Sequence, residues 1–79
     1  MNLVIDIGNT AAKLALFEGD DLVGDVVRTD NHSLSDLSAL VASHPTIRRA
    51  ILSTVVRLSD KTLGIIDNLP FPVLKLPST

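Results

Sequence analysis

The sequence predicts an α/β domain on a mixed five-stranded sheet of order 3-2-1-4-5, with its elements in the sequence βββαβαβ. Three features point there. Three short β-favouring runs follow one another with only tight turns between them, which calls for antiparallel pairing. Two helical patterns then alternate with two further β-favouring runs, which calls for parallel strands joined by crossovers. Hydrophobic residues make up 46% of the 79 residues against 20% charged, the balance of a packed chain and not of a disordered one.

Asn2 to Ile7 is an apolar run rich in Val and Ile, broken by Asp6 and closed by Gly8 and Asn9. It reads as a buried strand that ends in a turn. Leu14 to Phe17 forms the second strand, and the cluster Glu18-Gly19-Asp20-Asp21 turns the chain into the third, Leu22 to Arg28, where Val23, Val26 and Val27 favour extended backbone. Ser33 opens a helical pattern with Leu34, Leu37, Leu40 and Val41 on one stripe and Asp36 set to favour the first turn, and His44-Pro45 ends it. Ala50 to Val56 is a continuous β-branched and apolar strand. Ser59 is the N-cap of a second helix running to about Asn68; Leu69-Pro70-Phe71-Pro72 is a stiff turn into a last strand, Pro72 to Leu76.

Right-handed crossovers in one direction put both helices on the same face of the sheet. The opposite face is then uncovered, yet Val4 and one alternate set of the fourth strand make it apolar, so a further segment or partner is expected to cover it. A chain of 79 residues buries only roughly 60 to 65% of the surface its unfolded form exposes, which agrees with part of a larger domain.

Composition excludes several classes of function. Net charge is −2, and Arg48-Arg49 is the only adjacent basic pair, so no footprint for a nucleic-acid backbone exists and none is expected as a partner. No apolar run approaches the roughly 18 to 20 residues that span a bilayer, so no membrane partner is expected. The absence of cysteine suits a reducing cytoplasm and removes thiol chemistry. His32 and His44 stand at opposite ends of the first helical pattern, far from metal-ligand spacing. Asp20, Asp21 and Asp25 lack the spacing and terminal Glu of a calcium loop and read as a solvated hairpin turn.

The chemistry concentrates in Asp6-Ile7-Gly8-Asn9-Thr10. A glycine there lets the backbone turn and come close to a phosphate, N–H groups and the Asn9 and Thr10 side chains can donate to phosphate oxygens, and Asp6 at the end of a strand can hold Mg²⁺ directly or through its water shell. Lys13, a compact positive charge, could neutralise a transferring phosphoryl group. An ordinary hairpin turn draws on the same residues, since Asn and Gly both tolerate positive φ.

The pattern D-x-G-x-[ST] after a first strand resembles the first phosphate loop of the actin, heat-shock ATPase and sugar-kinase superfamily, and the spelling Asp6-Ile7-Gly8-Asn9-Thr10 is similar to the type III pantothenate kinases in particular. Ser53-Thr54-Val55-Val56 resembles the S-S-V-V-P segment that ends their fourth strand, with Arg57 where proline is common. The resemblance implies a ribonuclease H-like, actin-like ATPase half-domain spanning residues 1–79 and an ATP site formed by Asp6, Ile7, Gly8, Asn9, Thr10, Ala11, Ala12 and Lys13, with Asp6 toward the metal. It further implies ATP-dependent phosphorylation of pantothenate to 4'-phosphopantothenate, the first step toward coenzyme A, with Mg²⁺ and a monovalent cation (K⁺ or NH₄⁺), in a cytoplasmic homodimer. The family's carboxylate base comes from a G-x-D-R segment that these 79 residues do not contain, so no catalytic base is assigned, and the chain is expected to match the first third of such an enzyme and to be inactive alone. A non-catalytic nucleotide-binding relative and a module that oligomerises through its uncovered face are the alternatives.

Overall fold

The computed structural model describes residues 1–76. Strands β1 (Asn2–Ile7), β2 (Ala12–Glu18) and β3 (Asp21–Thr29) are followed by helix α1 (Leu37–Ser43), strand β4 (Arg49–Thr54), helix α2 (Asp60–Asp67) and strand β5 (Val73–Lys75). They form one five-stranded sheet of order β3-β2-β1-β4-β5, the order expected from the sequence. β1–β2 and β2–β3 pair antiparallel, while β1–β4 and β4–β5 pair parallel.

Alternation along the strands sorts the side chains onto two unlike faces. Leu3, Ile5 and Ile7 of β1, Leu14 and Leu16 of β2, and Ala50 and Leu52 of β4 are buried together with Leu34, Leu37 and Ile66, so α1 and α2 cover the same face. Val4, Ala15, Phe17 and Ile51 occupy the other face and are half-buried, while Leu22 and Leu74, in register with Phe17 and Ile51, are exposed. The uncovered apolar face expected from the sequence is therefore present among the described residues.

Local chemistry explains the turns. The β2–β3 hairpin has two central residues between the paired Glu18 and Asp21, with Gly19 at φ +61°, the position where tight hairpin turns of the II′ kind place glycine. Its register shifts between Leu14 and Leu16, which face Val27 and Val23. The extra residues on β3 include Gly24 at φ +69°, so β3 is longer than its sequence pattern suggested and bulged. Ser59 caps α2, its hydroxyl accepting from the Thr62 amide at 3.2 Å, as its position before the helical pattern predicts.

Helix α1 begins later than the Ser33 start expected from the apolar stripe. The Asp30 carboxylate accepts from the Ser33 and Ser35 amides at 2.6 and 2.9 Å and from the Ser35 hydroxyl. That bonding folds the stretch into turns, and Leu34 takes φ +47°, outside helical geometry though its side chain still enters the core. Asp36 is consequently the N-cap and not a first-turn residue, its side chain makes no cap hydrogen bond, and its amide donates to Thr29 Oγ1. Asp and Thr side chains compete for backbone amides in this way, and here Asp30 and Thr29 win over a weak seven-residue helix. β4 likewise ends at Thr54, two residues before the expected Val56. The Thr54 hydroxyl both donates to the Val56 carbonyl and accepts from its amide, bending the chain off the sheet.

The two faces should respond differently to substitution. Ile5→Val, in the fully buried layer, is expected to cost about 0.5–1.5 kcal/mol, whereas Leu74→Ala, at 61% exposure, should stay within about 0.5 kcal/mol. Urea unfolding of the two variants against the parent chain measures the difference.

Candidate phosphate-binding site

β1, β3 and β4 all run in the same direction, so the loops that leave them meet at one end of the sheet. The chain also reverses its direction across the sheet between β1 and β4, and in open α/β sheets ligands gather outside the carboxyl ends of strands at such a reversal. The loop after β1 is drawn toward β4 by the Val55 amide, which donates to the Ile7 carbonyl at 3.1 Å.

Gly8 closes the loop by donating its amide to the Ala11 carbonyl at 2.9 Å. A Cβ at this position would lie 3.2 Å from that same carbonyl oxygen, so a close backbone approach, and not a positive φ, is what favours glycine here. The closure also commits the Gly8 amide internally. Asn9 and Thr10 stand exposed at the loop tip, and among the described residues their amides reach no backbone carbonyl.

Ile7 and Ala12, paired across the base of the loop, are buried against the helices. Their side chains anchor the loop; Ala11 is half-buried between them and the tip. Asp6 and Lys13 are directly paired across β1 and β2, and both are exposed. They project from the uncovered face, as alternation from the buried Ile5 and Ile7 requires.

The register adds two residues that sequence reading alone did not single out there. Arg28 of β3 is opposite Lys13, and Ser53 of β4 is beside Asp6. Arg28, Lys13, Asp6 and Ser53 thus form a polar row across the loop end of an otherwise apolar face. Neither Asp6 nor Lys13 nor Arg28 forms an ion pair within 4 Å among the described residues. No group of three or more carboxylate or imidazole ligands exists among the described residues. Asp6 therefore offers a single-carboxylate position, which suits a cation that keeps most of its water and shares phosphate oxygens, and does not suit an all-protein calcium cage.

On the helix side of the same loops lies a cleft of about 130 Å³ lined by Asn9, Asn31, His32, Val56, Arg57, Leu58, Ser59 and Thr62. Its walls are tied together. The Asn31 side-chain amide donates to the Gly8 and Asn9 carbonyls at 3.0 and 2.9 Å, Thr62 Oγ1 donates to the His32 carbonyl at 2.6 Å, and Lys61 Nζ donates to Ser33 Oγ at 3.0 Å. Ser33 and Ser35, as donors to Asp30, hold its carboxyl well below the usual carboxylate range near 3.8, the Ser35 hydroxyl contributing most. His44, at the C-cap of α1, has Nδ1 3.0 Å from the Leu40 carbonyl and does not line this cleft.

Comparison with known proteins identifies one family. The family described as type III pantothenate kinase matches residues 2–67. A type III pantothenate kinase of Bacteroides fragilis is 47% identical over 78 residues, covering 99% of this chain and 31% of that protein. One of Phocaeicola vulgatus is 43% identical over 76 residues, covering 96% and 31%, and one of Chlorobium luteolum is 35% identical over 86 residues, covering 98% and 32%. The chain therefore spans about a third of the length of these relatives. No solved structure matches it.

The Asp30 turn gives a pH-dependent expectation. A carboxylate whose folded pKa is depressed contributes stability that is fully present above its unfolded value, and that contribution fades as pH falls through the window below it. Asp30→Asn should lower the urea midpoint at pH 7, and the gap to the parent should narrow steadily below about pH 4. Paired unfolding curves at pH 7 and pH 3 measure the narrowing.

Proposed function

The chain belongs to the type III pantothenate kinase family, and from that premise we propose that the polypeptide it forms transfers the γ-phosphoryl group of ATP to the primary hydroxyl of pantothenate, giving 4'-phosphopantothenate for coenzyme A synthesis. The family match across residues 2–67, which includes the whole Asp6-to-Lys13 loop, carries this reading. On the same reading the fold is an actin-like half-domain of the ribonuclease H-like class. The reading also includes a monovalent cation, a homodimeric assembly and a cytoplasmic setting.

Phosphoryl transfer asks a protein mainly for positioning and charge neutralisation. The Asn9 and Thr10 amides and side chains are the donors free to meet phosphate oxygens, which they would do with charge-assisted hydrogen bonds. Gly8 keeps that loop tight through its bond to Ala11. Asp6 would hold a divalent ion, which when bound neutralises phosphate charge and orients the transferred group. Lys13, directly across from Asp6, would offset negative charge that develops on the equatorial oxygens. Ile7, Ala11 and Ala12 contribute backbone and anchoring more than side-chain contact, two of them being fully buried. A base that accepts the pantothenate hydroxyl proton belongs to a G-x-D-R segment that is not among these 79 residues.

The deciding experiment is a calorimetric titration with ATP and Mg²⁺ of the parent protein and of Asp6→Ala, with circular dichroism as the folding control. Folded Asp6→Ala protein is expected to bind at least about ten-fold more weakly, a difference of about 1.4 kcal/mol. Equal affinity in the two proteins would remove Asp6 from the site, and a parent protein that ignores ATP would overturn the phosphate-loop reading as a whole. The isolated 79-residue chain is expected to show no turnover of pantothenate in a coupled ADP-release assay.

A further inference from the structure

We propose that Asn31 is the positioning residue of the phosphate loop, a part that no motif in the loop itself supplies. This inference rests on the reading of Asp6 to Lys13 as a phosphate site.

A loop that binds phosphate through its amides needs its peptide planes held with the N–H groups outward, because each bond depends on direction as well as distance. Only two interactions among the described residues fix the planes at the tip. The Gly8 amide bonds to the Ala11 carbonyl, which closes the loop. The Asn31 side-chain amide holds the Gly8 and Asn9 carbonyls, 23 and 22 residues away in sequence, at 3.0 and 2.9 Å.

Those two carbonyls belong to the peptide groups whose N–H atoms are on Asn9 and Thr10. In a trans peptide the carbonyl and the N–H point in opposite directions. Pulling both carbonyls toward Asn31 therefore turns the Asn9 and Thr10 amides away from it, and those amides have no backbone acceptor. One side-chain amide, with two N–H donors, orients two consecutive peptide groups at once.

Asn31 is itself fixed. The Asp30 carboxylate gathers the Ser33 and Ser35 amides, the Asp36 amide bonds to Thr29 Oγ1, and Thr62 of α2 bonds to the His32 carbonyl. The bracket of residues 29–36 is thereby tied to the start of α2, and Asn31 extends from it to the loop. Glutamine would carry the same donor group one methylene too far, and Asp would place a carboxylate against two carbonyl oxygens.

The test uses the full-length protein containing this chain, with Asn31→Ala, Asn31→Asp and Asp6→Ala. It reads amide hydrogen exchange at residues 8–11, calorimetric affinity for ATP with Mg²⁺, and thermal midpoint. Asn31→Ala is expected to speed exchange at least ten-fold at Gly8, whose amide is the one bonded within the loop, and to weaken ATP binding about ten-fold while the thermal midpoint moves by only a few degrees. Asn31→Asp should weaken binding further than Ala does. Unchanged exchange at Gly8, or unchanged ATP affinity in folded Asn31→Ala, overturns the inference; a fall in thermal midpoint with affinity intact does so too, since it leaves Asn31 a purely structural role. If the parent protein binds no ATP and Asp6→Ala changes nothing, the phosphate reading falls and the inference falls with it, whereas ATP binding lost in Asp6→Ala and retained in Asn31→Ala defeats the inference alone.

Discussion

The parallel pairing of β1 with β4 is the constraint on which the rest of the molecule depends. β1 lies in the middle of the sheet with β2 on one side and β4 on the other. Its inward residues Leu3, Ile5 and Ile7 are fully buried, contributing about 1.5–3 kcal/mol each relative to exposure. A parallel pair cannot be joined by a tight turn. The chain must therefore leave the sheet between β3 and β4, and that excursion supplies both α1, one of the two helices that bury the inward face, and the bracket of residues 29–36. The same pairing puts the carboxyl ends of β1 and β4 side by side, where the Val55 amide reaches the Ile7 carbonyl. Core and site thus share one strand: the residue that ends the buried run, Ile7, is also the residue from which the loop departs.

The loop end of the sheet has two sides with different chemistry. Toward the helices, hydrogen bonds from Asn31, Thr62 and Lys61 tie the loops to one another and to α2. Toward the uncovered face, Asp6, Lys13 and Arg28 stand in one row with no ion pair within 4 Å among the described residues. Rigidity comes from one side and free charge from the other. A site that must hold highly charged groups without rearranging benefits from that division, since bonds already made inside the protein do not have to be broken to admit the ligand.

Much of this was legible in the sequence because periodicity reports burial. The alternation through Leu3, Ile5 and Ile7, the turn residues Gly19 and Asp20, and the Ser59 cap each announce their own local structure, and together with the crossover rule they define the strand order. The start of α1 was not legible. The stripe Leu34, Leu37, Leu40 and Val41 is helical in spacing, but the Asp30 carboxylate captures the Ser33 and Ser35 amides before the helix can, and Leu34 fills the core from a turn instead. The bulge at Gly24 was hidden because valines suit a regular strand and a bulged one equally. At the candidate site, the loop itself could be picked out from its motif. Arg28 and Asn31 could not, since one owes its place to a cross-strand register and the other to contacts more than twenty residues away, and neither leaves a local pattern.

The two edges of the sheet are poorly suited to recruiting another strand. β3 is kinked by its bulge at Gly24, and β5 offers only three residues; both features blunt the exposed backbone that drives edge-to-edge pairing. What remains adhesive is the broad surface of Val4, Phe17, Ile51 and Leu74, which attracts through removal of water and has no strand direction to match. Contacts made there obey the thermodynamics of apolar hydration: they tighten on warming from the cold and in sulfate, and loosen in urea. Whatever segment or partner covers that face, its hold is therefore set by temperature and solvent more than by the conformation of any strand.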